Sequence, residues 1–252
     1  MTIDRPAQAQ IPQLRALWKE AFGDTDAFLD IFFHRAYAPE RCRCITRDGH
    51  VIAALYWFDC SWENKRLAYL YAVATAKSCR GQGLCRKLME DTHQHLRSLG
   101  YDGCVLVPQG KHLFSLYGKF GYQVCAYSRQ FTCHTDGAPV PIAQVAPDEY
   151  AVARRALLPK SSVLQEGVTL DFLSTYARLY TGEGFTLAAY PNEGKLIGCE
   201  LLGDPEKAPQ ILASLGFREG TFRVPDNQNP FAMYLSLTSD ATAPVYLGLA
   251  LD

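Results

Sequence analysis

Arg80-Gly81-Gln82-Gly83 stands where an apolar run ends and a helical repeat begins. A strand that turns there into a helix leaves the first helical N–H groups without carbonyl partners and aims them at one point. The helix dipole adds about half a positive charge at that point. Such a turn can bind an anion. Glycine also lets the backbone approach a diphosphate with no Cβ in the way. Lys77, Arg80, Arg86 and Lys87 surround the turn and give a chain of formal net charge −1 a local positive cluster. The same residues would also serve as an ordinary strand-to-helix connection. Two other phosphate motifs are excluded: there is no Gly-Lys-Ser or Gly-Lys-Thr, and the loop lacks the three-glycine dinucleotide spacing. Several strand candidates precede the loop, whereas a dinucleotide fingerprint belongs to the first strand-helix unit of its domain.

The elements that must hold this turn can be read from spacing. Ile11, Leu14, Trp18 and Phe22 recur about once per helical turn and predict a helix over 11–22. Gly23-Asp24 breaks it, and Asp24 or Thr25 can cap a second helix reaching about Tyr37, with Phe28, Ile31, Phe32 and Phe33 along it. Strands are expected over 43–47, 51–58 and 67–75, the first two joined by the tight-turn pair Asp48-Gly49. After the glycine loop comes a long helix with inner face Leu84, Leu88, Leu96 and Leu99, stopped by Gly100. A strand over 103–107 and a short helix bearing Leu113, Leu116, Tyr117 and Phe120 complete the block.

A polar, proline-containing stretch around 134–147 separates a second block. Helices are expected there over 148–158 and 169–180, and strands over 185–190 and 195–202 about the turn Asn192-Glu193-Gly194. A short helix over 205–216 leads into Phe217 much as 113–121 leads into Tyr122, and strands are expected next over 232–237 and 245–251. Helix, helix, hairpin recurs, but the glycine loop does not.

At 252 residues, 48% hydrophobic and 20% charged, the chain suits one large domain or two small ones, and disorder is excluded. Near-neutral charge supplies no general attraction for nucleic acid or anionic lipid. The nine cysteines follow no disulfide framework and read as reduced thiols, and Cys42 and Cys44 would share one strand face as small hydrophobes. Met1–Gln10 has no apolar signal core and no run approaches the length of a membrane span, so a soluble cytoplasmic protein is expected.

Val73-Ala74-Thr75, Arg80-Gly81-Gln82-Gly83-Leu84-Cys85 and Leu116-Tyr117-Gly118-Lys119-Phe120-Gly121-Tyr122 together resemble the acyl-CoA-binding core of the GCN5-related N-acetyltransferases (GNATs) over roughly residues 4–127. Arg80, Gly83 and Cys85 occupy the family's loop positions. Cys85 departs from the usual Gly or Ala there, and Pro108-Gln109-Gly110 replaces a common Asn. The resemblance implies acetyl-CoA as cosubstrate, with no metal. The pantetheine arm would lie on main-chain groups of the Val73, Ala74 and Thr75 strand, and the pyrophosphate on the amides of Arg80, Gly81, Gln82, Gly83, Leu84, Cys85 and Arg86. It also implies that Tyr117 protonates the departing CoA thiolate. A phenol near about 10 and a thiol near about 8.5 leave that transfer only about 2 kcal/mol uphill. From the residues alone, Tyr117 fits a core position equally well, because it shares the apolar stripe of Leu113, Leu116 and Phe120.

The base that deprotonates the acceptor is not identified by the sequence. Asp59 and Glu63 come after the second strand near the acceptor side of the family's site, and His112 is near Tyr117 along the chain; each also reads as a surface residue. The resemblance places the aromatic run Phe28, Phe32, Phe33 and Tyr37 in the helical lid over the acceptor cleft, with most of these rings expected in the core rather than on substrate. The two-part layout is similar to acetyltransferases of the enhanced intracellular survival type, whose C-terminal carboxylate enters the active site. The Asp252 α-carboxylate is therefore a further candidate base.

The expected fold is α/β (α+β): a GNAT-like mixed, mostly antiparallel sheet flanked by helices, then a smaller GNAT-like lobe lacking the pyrophosphate loop. The expected domains are 1–135, catalytic and acetyl-CoA-binding, and 136–252, degenerate. The expected activity is acetyl transfer to a primary amine of a small molecule or peptide, by a monomer or homodimer with no nucleic-acid or membrane partner. The alternative is a non-catalytic acyl-CoA sensor or an interaction scaffold.

Overall fold

The computed structural model describes residues 1–251, which fall into two compact units. The first comprises Met1–Gln123 and Met233–Thr242. It opens with β1 (Thr2–Asp4) and α1 (Ile11–Phe22), whose buried stripe is Leu14, Leu17 and Trp18. Gly23, at φ 80°, turns the chain out of α1. α2 (Asp26–Arg35) begins where the Thr25 hydroxyl accepts the Phe28 amide at 3.2 Å, one of the two caps the sequence offers. β2 (Cys42–Arg47) and β3 (His50–Trp62) join through Asp48 and Gly49, at φ 51° and 80°, the two left-handed residues that a tight hairpin requires. β4 (Lys65–Thr75), α3 (Leu84–Ser98), β5 (Gly103–Leu106) and α4 (Lys111–Gly118) complete the run. Leu99 lies beyond α3 and is 46% exposed, so the inner face ends at Leu96.

Strand order in this unit is β1-β2-β3-β4-β5, antiparallel except for the parallel pair β4–β5. Trp18 of α1 packs on Tyr56 and Tyr71, while His95 of α3 meets Trp57. Neighbouring residues of a strand point to opposite faces, so α1 and α3 cover the sheet from opposite sides.

The second unit comprises Val124–Ala232 and the residues from Ala243 onward. Its elements are β6 (Gln123–His134), β7 (Ile142–Gln144), α5 (Pro147–Leu157), α6 (Val168–Leu173), β8 (Arg178–Gly182), β9 (Phe185–Asn192), β10 (Lys195–Gly203), α7 (Ala208–Leu215) and β11 (Glu219–Pro225). Leu187, Leu196, Leu201, Ile211, Leu212 and Phe222 make its core. Order β6-β11-β10-β9-β8-β7 is antiparallel apart from β10–β11.

Three sequence expectations change here. The helix expected over 169–180 stops at Leu173, and 178–182 is strand, because Leu179 and Tyr180 bury themselves in the β8–β9 pairing. Of residues 245–251, Val245 is exposed and the rest are buried, and among the described residues they form only a single bridge, Ser162 to Tyr246, so that segment is not a strand. The helix over 205–216 is not the counterpart of α4. β8-β9-β10-α7-β11 repeats the strand directions of β2-β3-β4-α3-β5, which makes α7 the crossover helix and the counterpart of α3.

The first unit is finished by a strand from late in the chain, the second by its own first strand. β12 (Asn229–Ser236) places Met233–Ser236 beside β5, antiparallel, as part of the first unit. β6 pairs with β11 in the second.

Candidate active site

β4 pairs with β5 only from Leu67–Gly103 to Tyr69–Val105. Beyond Tyr69 the two strands share no register. On its other side β4 carries an extra residue: Ala54 faces Ala74, but Tyr56 faces Tyr71. The bulge centres on Ala72, a non-glycine residue at φ 48°. Past the bulge the Ala76 amide bonds to Ile52 of β3 at 2.9 Å. Strand alternation then turns the N–H and C=O groups of Val73 and Thr75 away from β3, toward the side that β5 has left. Thr75 is half-buried and, among the described residues, its carbonyl accepts from Arg80 Nε at 3.2 Å. Ala74 between them is buried.

The chain then makes a short helical turn (Lys77–Cys79) and enters the glycine loop. Gly81 and Gly83 sit at φ 76° and 73°, and a Cβ built on either meets no atom within 4 Å. Conformation rather than crowding within the protein therefore requires glycine, and the space outside the loop is open. Gly83 caps α3 with no side-chain hydrogen bond and no acidic residue in the first turn. Because the first helical bond runs from the Lys87 amide to the Gly83 carbonyl, the amides of Leu84, Cys85 and Arg86 point outward without helical partners.

The cations around the loop differ from the sequence reading. Lys77, Arg80 and Lys87 are exposed beside it. The Arg86 side chain turns away toward Glu90 (3.6 Å) and the Phe120 ring (4.9 Å), leaving its amide at the loop. Arg47, which sequence reasoning did not single out, reaches the Gln82 side chain at 3.2 Å. Its separation of 35 residues from Gln82 left no local signal. Leu84 is buried, and Cys85 is half-buried with its thiol pushed up by burial.

Tyr117 of α4 is 8% exposed and packs edge-on against Phe120 and Tyr122 at 6.2 and 5.9 Å. Burial raises its phenol well above the ordinary range, and the nearby Cys85 adds to that. Tyr117 therefore stays protonated at neutral pH and can give a proton but not take one. The structure brings it beside the first turn of α3.

Beneath this pair, His93 Nε2 lies 2.8 Å from the Tyr122 hydroxyl. Burial, aided by Arg97, lowers the His93 pKa to about 4. The ring is neutral when folded, and the unfolded chain binds the extra proton as pH falls below about 6.5. Its contribution to stability is present above pH 6.5 and is lost between 6.5 and about 4, on the order of 3 kcal/mol in all. His93→Gln should flatten that part of the urea-unfolding pH profile. A slope identical to that of the unsubstituted protein would show that His93 does not titrate this way.

The candidate bases are scattered. The Asp59 carboxylate is held by Tyr101 and by Arg66 and Arg41 at 3.2 and 3.5 Å. Glu63 is in the β3–β4 turn, about 30 Å along the hairpin from Ala74. His112 is exposed at the start of α4, and Asp252 lies outside the described residues. Of the aromatic run, Phe32 is core, packed on Trp18 and Tyr56, while Phe28, Phe33 and Tyr37 lie around it toward the surface. Among the described residues no three His, Cys, Asp or Glu side chains gather where a metal ion could sit.

The second unit repeats the strand geometry without the loop. β10 leaves β11 after Gly198 and bulges between Gly198 and Glu200. Beyond β10 the chain runs into Asp204-Pro205-Glu206, and the Asp204 carboxylate accepts the Glu206 amide at 3.0 Å. A side-chain carboxylate thus caps this turn, whereas the start of α3 has no side-chain cap.

A parted strand pair beside a bare helix start leaves main-chain donors and acceptors free to meet an extended ligand that ends in an anion. Residues 2–125 match the family model described as "Acetyltransferase (GNAT) domain". Residues 2–125 therefore form a GNAT acetyltransferase domain. Among solved structures it is similar to a GCN5-related N-acetyltransferase from Anabaena variabilis, with TM-score 0.72, 16% identity and coverage of 94% of this chain and 73% of that one. Eis1 from Mycobacterium abscessus gives 0.66, 11%, 94% and 74%. A tandem GNAT protein from the clavulanic acid biosynthesis pathway gives 0.56, 12%, 95% and 99%. These likenesses establish a two-lobed GNAT fold. No curated protein matches the sequence. Among the described residues no helix is long and apolar enough to cross a membrane.

Proposed function

We propose that the first unit is an acetyl-CoA-dependent N-acetyltransferase that passes the acetyl group directly to a primary amine of a small molecule or peptide. The observation that carries this reading is the parting of β4 from β5 at Tyr69, which leaves Val73 and Thr75 main-chain groups beside an open helix N-terminus. A pantetheine arm, with its two amides, is the kind of ligand that can pair with such an edge. The diphosphate at the end of that arm suits the amides from Arg80 to Arg86.

The acceptor nitrogen, once it has lost a proton to solvent, attacks the thioester carbon. The new C–N bond forms as the C–S bond breaks, the electron pair leaves on sulfur, and the acylated nitrogen releases its second proton to solvent to become the neutral amide. Tyr117 gives its proton to that sulfur and recovers one from water. Burial raises the phenol, but a thiolate departing into the same surroundings rises for the same reason, so the gap between them stays small. Catalysis belongs to the N-terminal domain, and the second lobe is a degenerate copy. The nine free thiols favour a reducing, cytoplasmic setting.

Calorimetric titration with acetyl-CoA should give one site per chain, because Asp204 caps the corresponding turn in the second unit. A stoichiometry near two would overturn the degenerate-copy reading, and no binding would overturn the function.

A further inference from the structure

Arg47 ends β2 on the face that meets α3. Earlier on the same face, Arg43 holds Asp91 of α3 at 2.6 and 2.8 Å. Arg47 continues the row, but its partner is the neutral side chain of Gln82, in the middle of the glycine loop. Among the described residues no carboxylate lies within ion-pair distance of Arg47, so this half-buried guanidinium keeps its full charge beside the outward-pointing amides of α3. The other cations are less well placed: Arg80 is folded back on Thr75, and Arg86 is turned toward α4.

Registers put Arg47 and the split at the same end of the sheet. Arg47 faces His50, and Ala53, a little further along β3, faces Thr75. A ligand that runs along the freed edge of β4 and crosses the loop away from β5 moves toward β2, where Arg47 stands.

We propose that Arg47 is a phosphate ligand of the donor site, exchanging the Gln82 amide oxygen for phosphoryl oxygens of the bound coenzyme. This rests on the donor being CoA, as proposed above. A planar guanidinium suits bidentate binding to a phosphate, and the Gln82 contact holds it in place beforehand.

Titrations of CoA, dephospho-CoA and pantetheine into the full-length protein and into Arg47→Gln test the inference. Loss of one charge-assisted contact should weaken CoA binding by about thirtyfold. A loss confined to CoA assigns Arg47 to the 3′-phosphate, and an equal loss with dephospho-CoA assigns it to the diphosphate; both support the proposal. Unchanged affinity for CoA and dephospho-CoA would overturn it. So would an equal loss with pantetheine, which carries no phosphate and would report only a disturbed fold. If the unsubstituted protein bound none of the three, the CoA reading itself would fall.

Discussion

Replacing Tyr117 with Phe should lower the rate of acetyl transfer by about 10²-fold while leaving CoA affinity nearly unchanged. Phe keeps the ring that packs against Phe120 and Tyr122, so the fold beneath it should survive. The proton donor beside the first turn of α3 is what disappears. The result should appear in kcat for any acceptor found by an amine-library screen with thiol release as readout. Unchanged kcat would remove Tyr117 from the reaction and return it to the core. A loss of CoA affinity equal to the loss of rate would mean that the ring, rather than the hydroxyl, matters.

The largest stability effect is expected in the second unit. Arg154 and Glu200 are 1% and 0% exposed and form a bidentate pair at 2.5 and 2.9 Å. Glu200 also accepts from the Tyr246 hydroxyl at 3.0 Å, and Gly248 leaves room for its carboxylate, since a Cβ there would stand 1.8 Å from Glu200 Oε1. Glu200→Ala strands a buried guanidinium and should cost about 3 to 5 kcal/mol in urea unfolding. Arg154→Met with Glu200→Leu removes both charges and should recover most of that loss. If the double variant were as unstable as the single, cavity and packing losses rather than the orphaned charge would explain the damage.

The glycine loop, the Asp48-Gly49 and Glu193-Gly194 turns and the span of α1 were legible because each is local, although α1 buries Leu17 rather than Phe22 beside Leu14 and Trp18. The Gly83 cap, at φ 73°, and the turn residues Glu193 and Gly194, at φ 47° and 79°, need backbone conformations that their own residues announce or flank. Three site-related features were not legible. The bulge at Ala72 carries no glycine. Arg47 meets its loop across 35 residues of chain. The repeat was read by helix order, yet parallel pairing of β10 with β11 makes α7 the partner of α3, and strand direction leaves no mark on a short apolar run. Leu179 and Tyr180 show the same weakness: their apolar spacing suits the end of a helix as well as a strand.

The strand that completes the first unit comes late in synthesis. Met233 meets Leu106 about 130 residues after β5 has been made. At ribosomal speeds of roughly 5 to 20 residues per second, the outer edge of β5 waits on the order of ten seconds for its partner. Through that interval a buried apolar strand, Cys104-Val105-Leu106, has an open edge able to pair with another nascent chain. The acetyltransferase half therefore finishes folding only after most of the second half has emerged, and a gene cut at the boundary between the halves would encode a sheet with one strand missing.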